Sequence, residues 1–173
     1  IDNRTFKDCE NLTTVTLPAS IKSIGDNAFS KCKSLTTLIL PEKTDEIGNG
    51  AFEGCESLNE IQMASVSELK SNAFEGCKNL KTVVFNKLSK LGSDAFKNCS
   101  SLTKASLPGD LKEISEEAFA GCANLSEITV PATVKTIGSN AFKGCHSLAK
   151  FDIPAAVTKI GSHAFEACTS LKE

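Results

Sequence analysis

Apolar residues recur along this chain in two alternating rhythms. Between Ile24 and Ile47, Ala28, Phe29, Cys32 and Leu35 stand at i, i+1, i+4 and i+7, which predicts one face of a short helical turn. From Leu35 the rhythm changes to period 2 through Leu38 and Leu40, which predicts a short strand that stops at Pro41. The same order returns throughout the sequence. Two residues before each Ala position stand Asn3, Asp26, Asn49, Ser71, Ser93, Glu116, Ser139 and Ser162, nearly all helix-capping types. All five prolines (Pro18, Pro41, Pro108, Pro131 and Pro154) occupy the slot after the strand, where a missing backbone donor ends pairing; Ala64 and Asn86 fill it elsewhere. An apolar pair such as Ile21 and Ile24 follows. Then comes a glycine in five places (Gly25, Gly48, Gly92, Gly138 and Gly161), expected to turn the chain into the next helix.

The period is set by eight cysteines, Cys9, Cys32, Cys55, Cys77, Cys99, Cys122, Cys145 and Cys168, spaced by 22 or 23 residues. A phenylalanine precedes each by three residues and a leucine follows each by three, which chance does not produce. Self-similarity at this period with the string L-x-x-L-x-L predicts a leucine-rich-repeat solenoid, in which coils stack on one another. The expected architecture is a single α/β solenoid over 1–173, a right-handed coil of about 7.5 repeats of 22–23 residues, with parallel strands on one face and short helical turns on the other.

The string I-G-x-x-A-F-x-x-C-x-x-L-x-x-I-x-L-P resembles the Treponema pallidum type, or BspA-like, class of leucine-rich repeat. The run Ile137-Gly138-Ser139-Asn140-Ala141-Phe142-Lys143-Gly144-Cys145-His146-Ser147-Leu148 carries it most fully, and Ile160-Gly161-Ser162-His163-Ala164-Phe165 repeats it. Departures are Thr44 for the first aliphatic after the strand, Lys70 and Ser115 for the glycine, and Ala105 for a strand aliphatic. The resemblance implies a bacterial cell-surface or secreted protein with no enzymatic activity, acting in adhesion or protein binding. Family proteins usually carry a signal sequence, an anchor or other domains, none of which is read in this segment. The chain opens at Ile1 in register with Ile24 and closes at Glu173 in register with Thr14, which predicts a segment of a larger protein. No polar cap is recognisable at either end. An alternative is that the ends stack head to tail in end-to-end self-association.

Composition narrows the chemistry. With 40% hydrophobic and 23% charged residues, the chain is a globular rather than a disordered sequence. A formal charge of -2 gives no electrostatic footprint for nucleic acid or an anionic membrane, and no apolar run is long enough to insert into a bilayer. Zinc sites want closely spaced cysteine pairs, so no metal or cofactor is expected. Coils ~5 Å apart leave cross-coil disulfides geometrically open, but the column reads first as buried free thiols filling the core. The two histidines, His146 and His163, lie in variable slots without a nucleophile motif, and the Gly-Cys pairs are repeat positions rather than phosphate loops. Sequons at Asn3, Asn11, Asn98 and Asn124 coincide mostly with a turn where Asn and Ser recur anyway.

Surface remains. The residues flanking each strand's central aliphatic should point outward from a concave sheet, giving a partner-binding strip of Thr14, Thr16, Thr37, Ile39, Glu60, Gln62, Thr82, Val84, Lys104, Ser106, Glu127, Thr129, Lys150 and Asp152. At ~4.8 Å per coil the strip is ~35 Å long, enough for a macromolecular partner on a host matrix or a neighbouring cell. Exposed Ile39 and Val84, two coils apart with Glu60 and Gln62 between them, are expected to form one small apolar patch. A structural spacer that presents another domain is the competing reading.

Overall fold

The computed structural model describes residues 1–172; the register match at Glu173 lies outside them. The chain is a parallel-strand solenoid in which each coil sits on the one before. The described residues form twelve short strands in two columns, alternating in chain order up to β11, with β12 again in the second column. The first column is β2 (Thr37–Ile39), β4 (Glu60–Gln62), β6 (Thr82–Val84), β8 (Lys104–Ser106) and β10 (Glu127–Thr129). The second column was not expected. It consists of two-residue strands at the aliphatic before the glycine slot: β1 (Ser23–Ile24), β3 (Glu46–Ile47), β5 (Glu68–Leu69), β7 (Lys90–Leu91), β9 (Glu113–Ile114), β11 (Thr136–Ile137) and β12 (Lys159–Ile160). Pairing is parallel and in repeat register: Leu38 lies opposite Ile61, and Ile24 opposite Ile47. The ladders are segmented. In the first column β2 and β4 form one sheet and β6, β8 and β10 another; in the second, β1, β3, β5 and β7 form one sheet and β9, β11 and β12 another.

The expected helical turns are absent: the described residues contain no helix. The Ala-Phe-Cys stretch is a chain of tandem β-turns. In the second coil the Ala28 N–H donates to the Gly25 carbonyl, Ser30 to Asn27 and Cys32 to Phe29, each three residues back. Between them, the N–H groups of Asn27, Phe29 and Lys31 donate forward to the carbonyls of Asn49, Ala51 and Glu53 in the next coil. A helix would spend every amide on its own axis; here alternate amides tie coil to coil. The backbone permits this because two slots per coil take a left-handed residue, Asn27 (φ 55) and Lys31 (φ 60) in this coil. Those slots hold the third residue of four-residue turns, where type II geometry demands a positive φ. The turns present Ala28, Phe29, Cys32 and Leu35 to the interior as a helix would, so the apolar spacing alone did not separate the two.

Two of the residues expected to cap helices bridge coils instead: Asp26 N–H donates to Asn3 Oδ1, and Asn49 N–H to Asp26 Oδ1, both at 2.7 Å. The glycine slot is likewise a matter of close approach rather than of turning. A Cβ on Gly92 would lie 2.4 Å from the backbone of Lys70 in the coil before. Inside, the Phe column from Phe6 to Phe165 stacks with ring centroids 5.0–5.5 Å apart, an offset arrangement that aromatic quadrupoles favour. Six of these rings, Phe29 to Phe142, are fully buried.

Candidate functional site: the strand face

In the first column β2, β4 and β6 bury the central residue and turn its neighbours outward, the alternation that period 2 dictates, while the central Ile128 of β10 is half-buried. Of the fourteen residues assigned to the strip, thirteen are exposed: Thr14, Thr16, Thr37, Ile39, Glu60, Gln62, Thr82, Val84, Lys104, Glu127, Thr129, Lys150 and Asp152; Ser106 is half-buried. Thr14 and Thr16 precede the first paired strand, and Lys150 and Asp152 follow the last.

The two halves of this face differ in chemistry. In the carboxy-terminal half the charges satisfy one another: Lys104 Nζ is 2.7 Å from Glu127 Oε1, and Lys150 Nζ 3.2 Å from Asp152 Oδ1. The amino-terminal half carries mostly hydroxyls and aliphatics, with Glu60 and Gln62 between Ile39 and Val84. Ile39 is 67% and Val84 52% exposed, the two most outward aliphatics of the paired strands. They stand two coils apart, with Gln62 on the strand between them. Ile39 lies opposite Gln62, and the ladder is interrupted between β4 and β6. Ile39 borders a hollow of about 550 Å³ with Thr14, Thr16, Leu17, Thr37 and Pro41. Val84 borders a separate hollow of about 290 Å³ with Glu60, Gln62, Thr82 and Asn86.

The thiol column is a core device with a polar function that its spacing did not reveal. All eight cysteines are free, six of them buried, with Cys9 exposed and Cys168 half-buried. From Cys32 to Cys168 each Sγ donates to the carbonyl of the phenylalanine in the preceding coil at 3.1–3.2 Å, as Cys99 does to Phe74. The slot therefore wants a small apolar side chain that is also a donor. Burial, with a neighbouring thiol second, pushes Cys32 up to about 11 and Cys145 up to about 12 from an ordinary 9.0, and raises Cys77 and Cys122 well above it. Such thiols stay protonated and unreactive at neutral pH.

His146 Nδ1 lies 2.9 Å from the Ala167 carbonyl, and His163 is exposed. Among the described residues no three His, Cys, Asp or Glu side chains converge on a metal position, and no helix is long and apolar enough to cross a membrane.

Comparison with known proteins agrees with the architecture. The family model described as BspA type leucine rich repeat region matches residues 1–116 and 89–173 in six copies. The crystal structure of a Treponema pallidum leucine-rich-repeat protein is similar at 32% identity and a TM-score of 0.78, over 86% of this chain and 70% of that one. A leucine-rich-repeat protein from Eubacterium ventriosum is 31% identical with a TM-score of 0.80, over 90% of this chain and 42% of its own. A leucine-rich cell surface protein from Faecalibacterium prausnitzii is 28% identical with a TM-score of 0.65, over 99% of this chain and 61% of its own. No curated protein matched.

Proposed function

From the chain's membership of the BspA-type leucine-rich-repeat family, we propose that it is a non-enzymatic protein-binding module of a surface or secreted bacterial protein. It engages its partner, on a host matrix or a neighbouring cell, through the amino-terminal half of the strand face. The observation that carries this reading is the exposure of Ile39 and Val84 on strands whose other outward residues are polar. Outward aliphatics beside hollows add nothing to solubility, and each offers a partner an apolar contact. The charges of the carboxy-terminal half are already spoken for, Lys104 and Glu127 across coils and Lys150 and Asp152 within one. The description of the Faecalibacterium relative as a cell surface protein supports the location.

The test is binding of the purified chain to immobilised extracellular-matrix proteins, with the double variant Ile39→Asp, Val84→Asp beside it. The reading expects binding to at least one of them, weakened more than about tenfold (~1.4 kcal/mol) by the double variant while circular dichroism is unchanged. Unchanged affinity in a folded variant would place the contact on another face. No binding at all would favour a spacer.

A further inference from the structure

We propose that the Asn49–Gly50 pair is a site of spontaneous covalent modification, in which the Asn49 amide is converted to an acid through a cyclic imide. The turn arc restrains this reaction, and its product unties the arc. The site stands apart from the strand face and does not depend on the binding reading.

Among the asparagines of the chain only Asn49 is followed by glycine. In the reaction the Gly50 backbone nitrogen attacks the Asn49 Cγ. The N–Cγ bond forms and the Cγ–Nδ2 bond breaks, and the Gly50 amide proton leaves with the Asn49 amide nitrogen as ammonia. Water then opens the imide at either carbonyl, giving aspartate or isoaspartate. A side chain on the attacking residue crowds this approach, and glycine has none. Asn27, Asn72 and Asn140, elsewhere on the arc, precede Ala28, Ala73 and Ala141. Gly50 is set by the fold for another reason: its φ is +57, and a Cβ there would lie 3.1 Å from Glu53 Oε2. The residue that suits the left-handed slot therefore also leaves its neighbour labile.

The hydrogen bonds of the arc hold both reacting groups. Asn49 is exposed, so its amide is open to water. The Gly50 N–H, which carries the attacking nitrogen, donates to the Ser71 carbonyl of the next coil at 2.9 Å. The Asn49 Nδ2, which must leave, donates to Asp26 Oδ1 of the preceding coil at 3.2 Å, and the Asn49 N–H donates to the same oxygen at 2.7 Å. Attack requires the first bond to break and the second to release. Both belong to seams between coils, so the reaction waits on local opening of the arc.

The product acts on the same seams. The Asn49 carbonyl accepts from the Asn27 N–H at 2.8 Å, while the Gly50 N–H bonds forward, so the ties on both sides of this coil pass through one peptide unit. Isoaspartate runs the backbone through the side-chain carbons and adds an atom between these two ties, which shifts their register. Aspartate instead replaces the Nδ2 donor with a second carboxylate one coil from Asp26, where like charges repel. Lys70, which borders Asp26, is already paired with Glu46.

The test is incubation of the whole chain at mildly alkaline pH, folded and in guanidinium chloride, with isoaspartate located by methyltransferase labelling and peptide mass spectrometry. Modification should appear at Asn49 before any other asparagine, and about tenfold or more faster in the unfolded chain. Asp26→Ala, which frees Nδ2, should speed the folded chain about threefold or more, while Asp26→Asn, which keeps an oxygen acceptor, should stay within about twofold. Asn49→Gln should remove the signal. Asn49→Asp, which mimics one product, should lower the urea midpoint and speed hydrogen exchange at the Asn27 and Gly50 amides. Should Asp26→Ala fail to fold, the folded and unfolded rates of the unaltered chain decide the matter. Equal rates in those two states, earlier modification at another asparagine, or an Asn49→Asp chain as stable as the parent would each overturn the proposal.

Discussion

Within one coil, the turn arc and the strand face are held in different ways. On the arc, all seven seams between coils carry the same three forward hydrogen bonds, from Arg4, Phe6 and Asp8 at one end to Asn140, Phe142 and Gly144 at the other. The Phe stack and the thiol–carbonyl column run beneath them without interruption. On the strand face the sheet breaks between β4 and β6, and Thr14 to Thr16 lie outside any paired strand. Cohesion sits on one side of the coil and variation on the other. A solenoid passes stability between neighbouring coils, so a continuous arc allows the opposite face to change residue by residue.

The sharpest way to break this comparison is to open the arc. Phe96 is fully buried, stacked on Phe74 and Phe119 and in tilted contact with Phe85. Phe96→Ala should cost ~3–5 kcal/mol in urea unfolding and loosen both flanking coils in hydrogen exchange. A loss below ~1 kcal/mol would mean that the arc is not what holds the stack.

How much of this was readable beforehand follows the same division. The core was legible because its columns repeat: Ala28, Phe29, Cys32, Leu35, Leu38 and Leu40 are all buried, as their spacing requires. The arc's backbone was not, because tandem turns and a helical turn bury the same slots. A signal was nevertheless present. The slots of Asn27 and Lys31 hold Gly50, Asn72 and Asn140, and Gly54, Gly76, Asn98, Gly121 and Gly144, residues that tolerate positive φ, recurring four residues apart. No helix accepts that pattern. The second strand column was hidden by its length, since two residues are too few to show period 2. On the strand face, exposure was legible from alternation, but the break in the ladder between β4 and β6 depends on interstrand hydrogen bonds that no side-chain pattern encodes.

A smaller perturbation reaches the arc through its thiols. Burial pushes the thiols of Cys32 and Cys145 up to about 11 and about 12, from an ordinary 9.0 in the unfolded chain. Above pH ~9 the unfolded state has therefore lost thiol protons that the folded state still holds. Their contribution to stability is fully present below pH ~9 and drains away as pH rises toward ~12. Under reducing conditions the urea midpoint should fall steadily across that window. The lysines paired with Glu10 and Glu46, Lys33 and Lys70, are raised by those carboxylates and push in the same direction, so Cys99→Ala provides the control. Removing one buried thiol should make the fall shallower. An unchanged slope would transfer the effect to the surface lysines.

The smallest expected effect lies on the strand face, and it is the one that defines the contrast. Lys104 and Glu127 sit 2.7 Å apart across β8 and β10, with side chains 47% and 58% exposed. An ion pair this open gains little over its hydration, and double-mutant cycles of such pairs give ~0.2–1 kcal/mol. Lys104→Ala, Glu127→Ala and the double variant should therefore show a coupling below ~1 kcal/mol that shrinks further in high salt. If the pair serves mainly to neutralise the face, the single variants should change what the surface attracts more than they change unfolding. A coupling above ~2 kcal/mol would make this face part of the scaffold, and the separation between a fixed arc and a free surface would fail at these two coils.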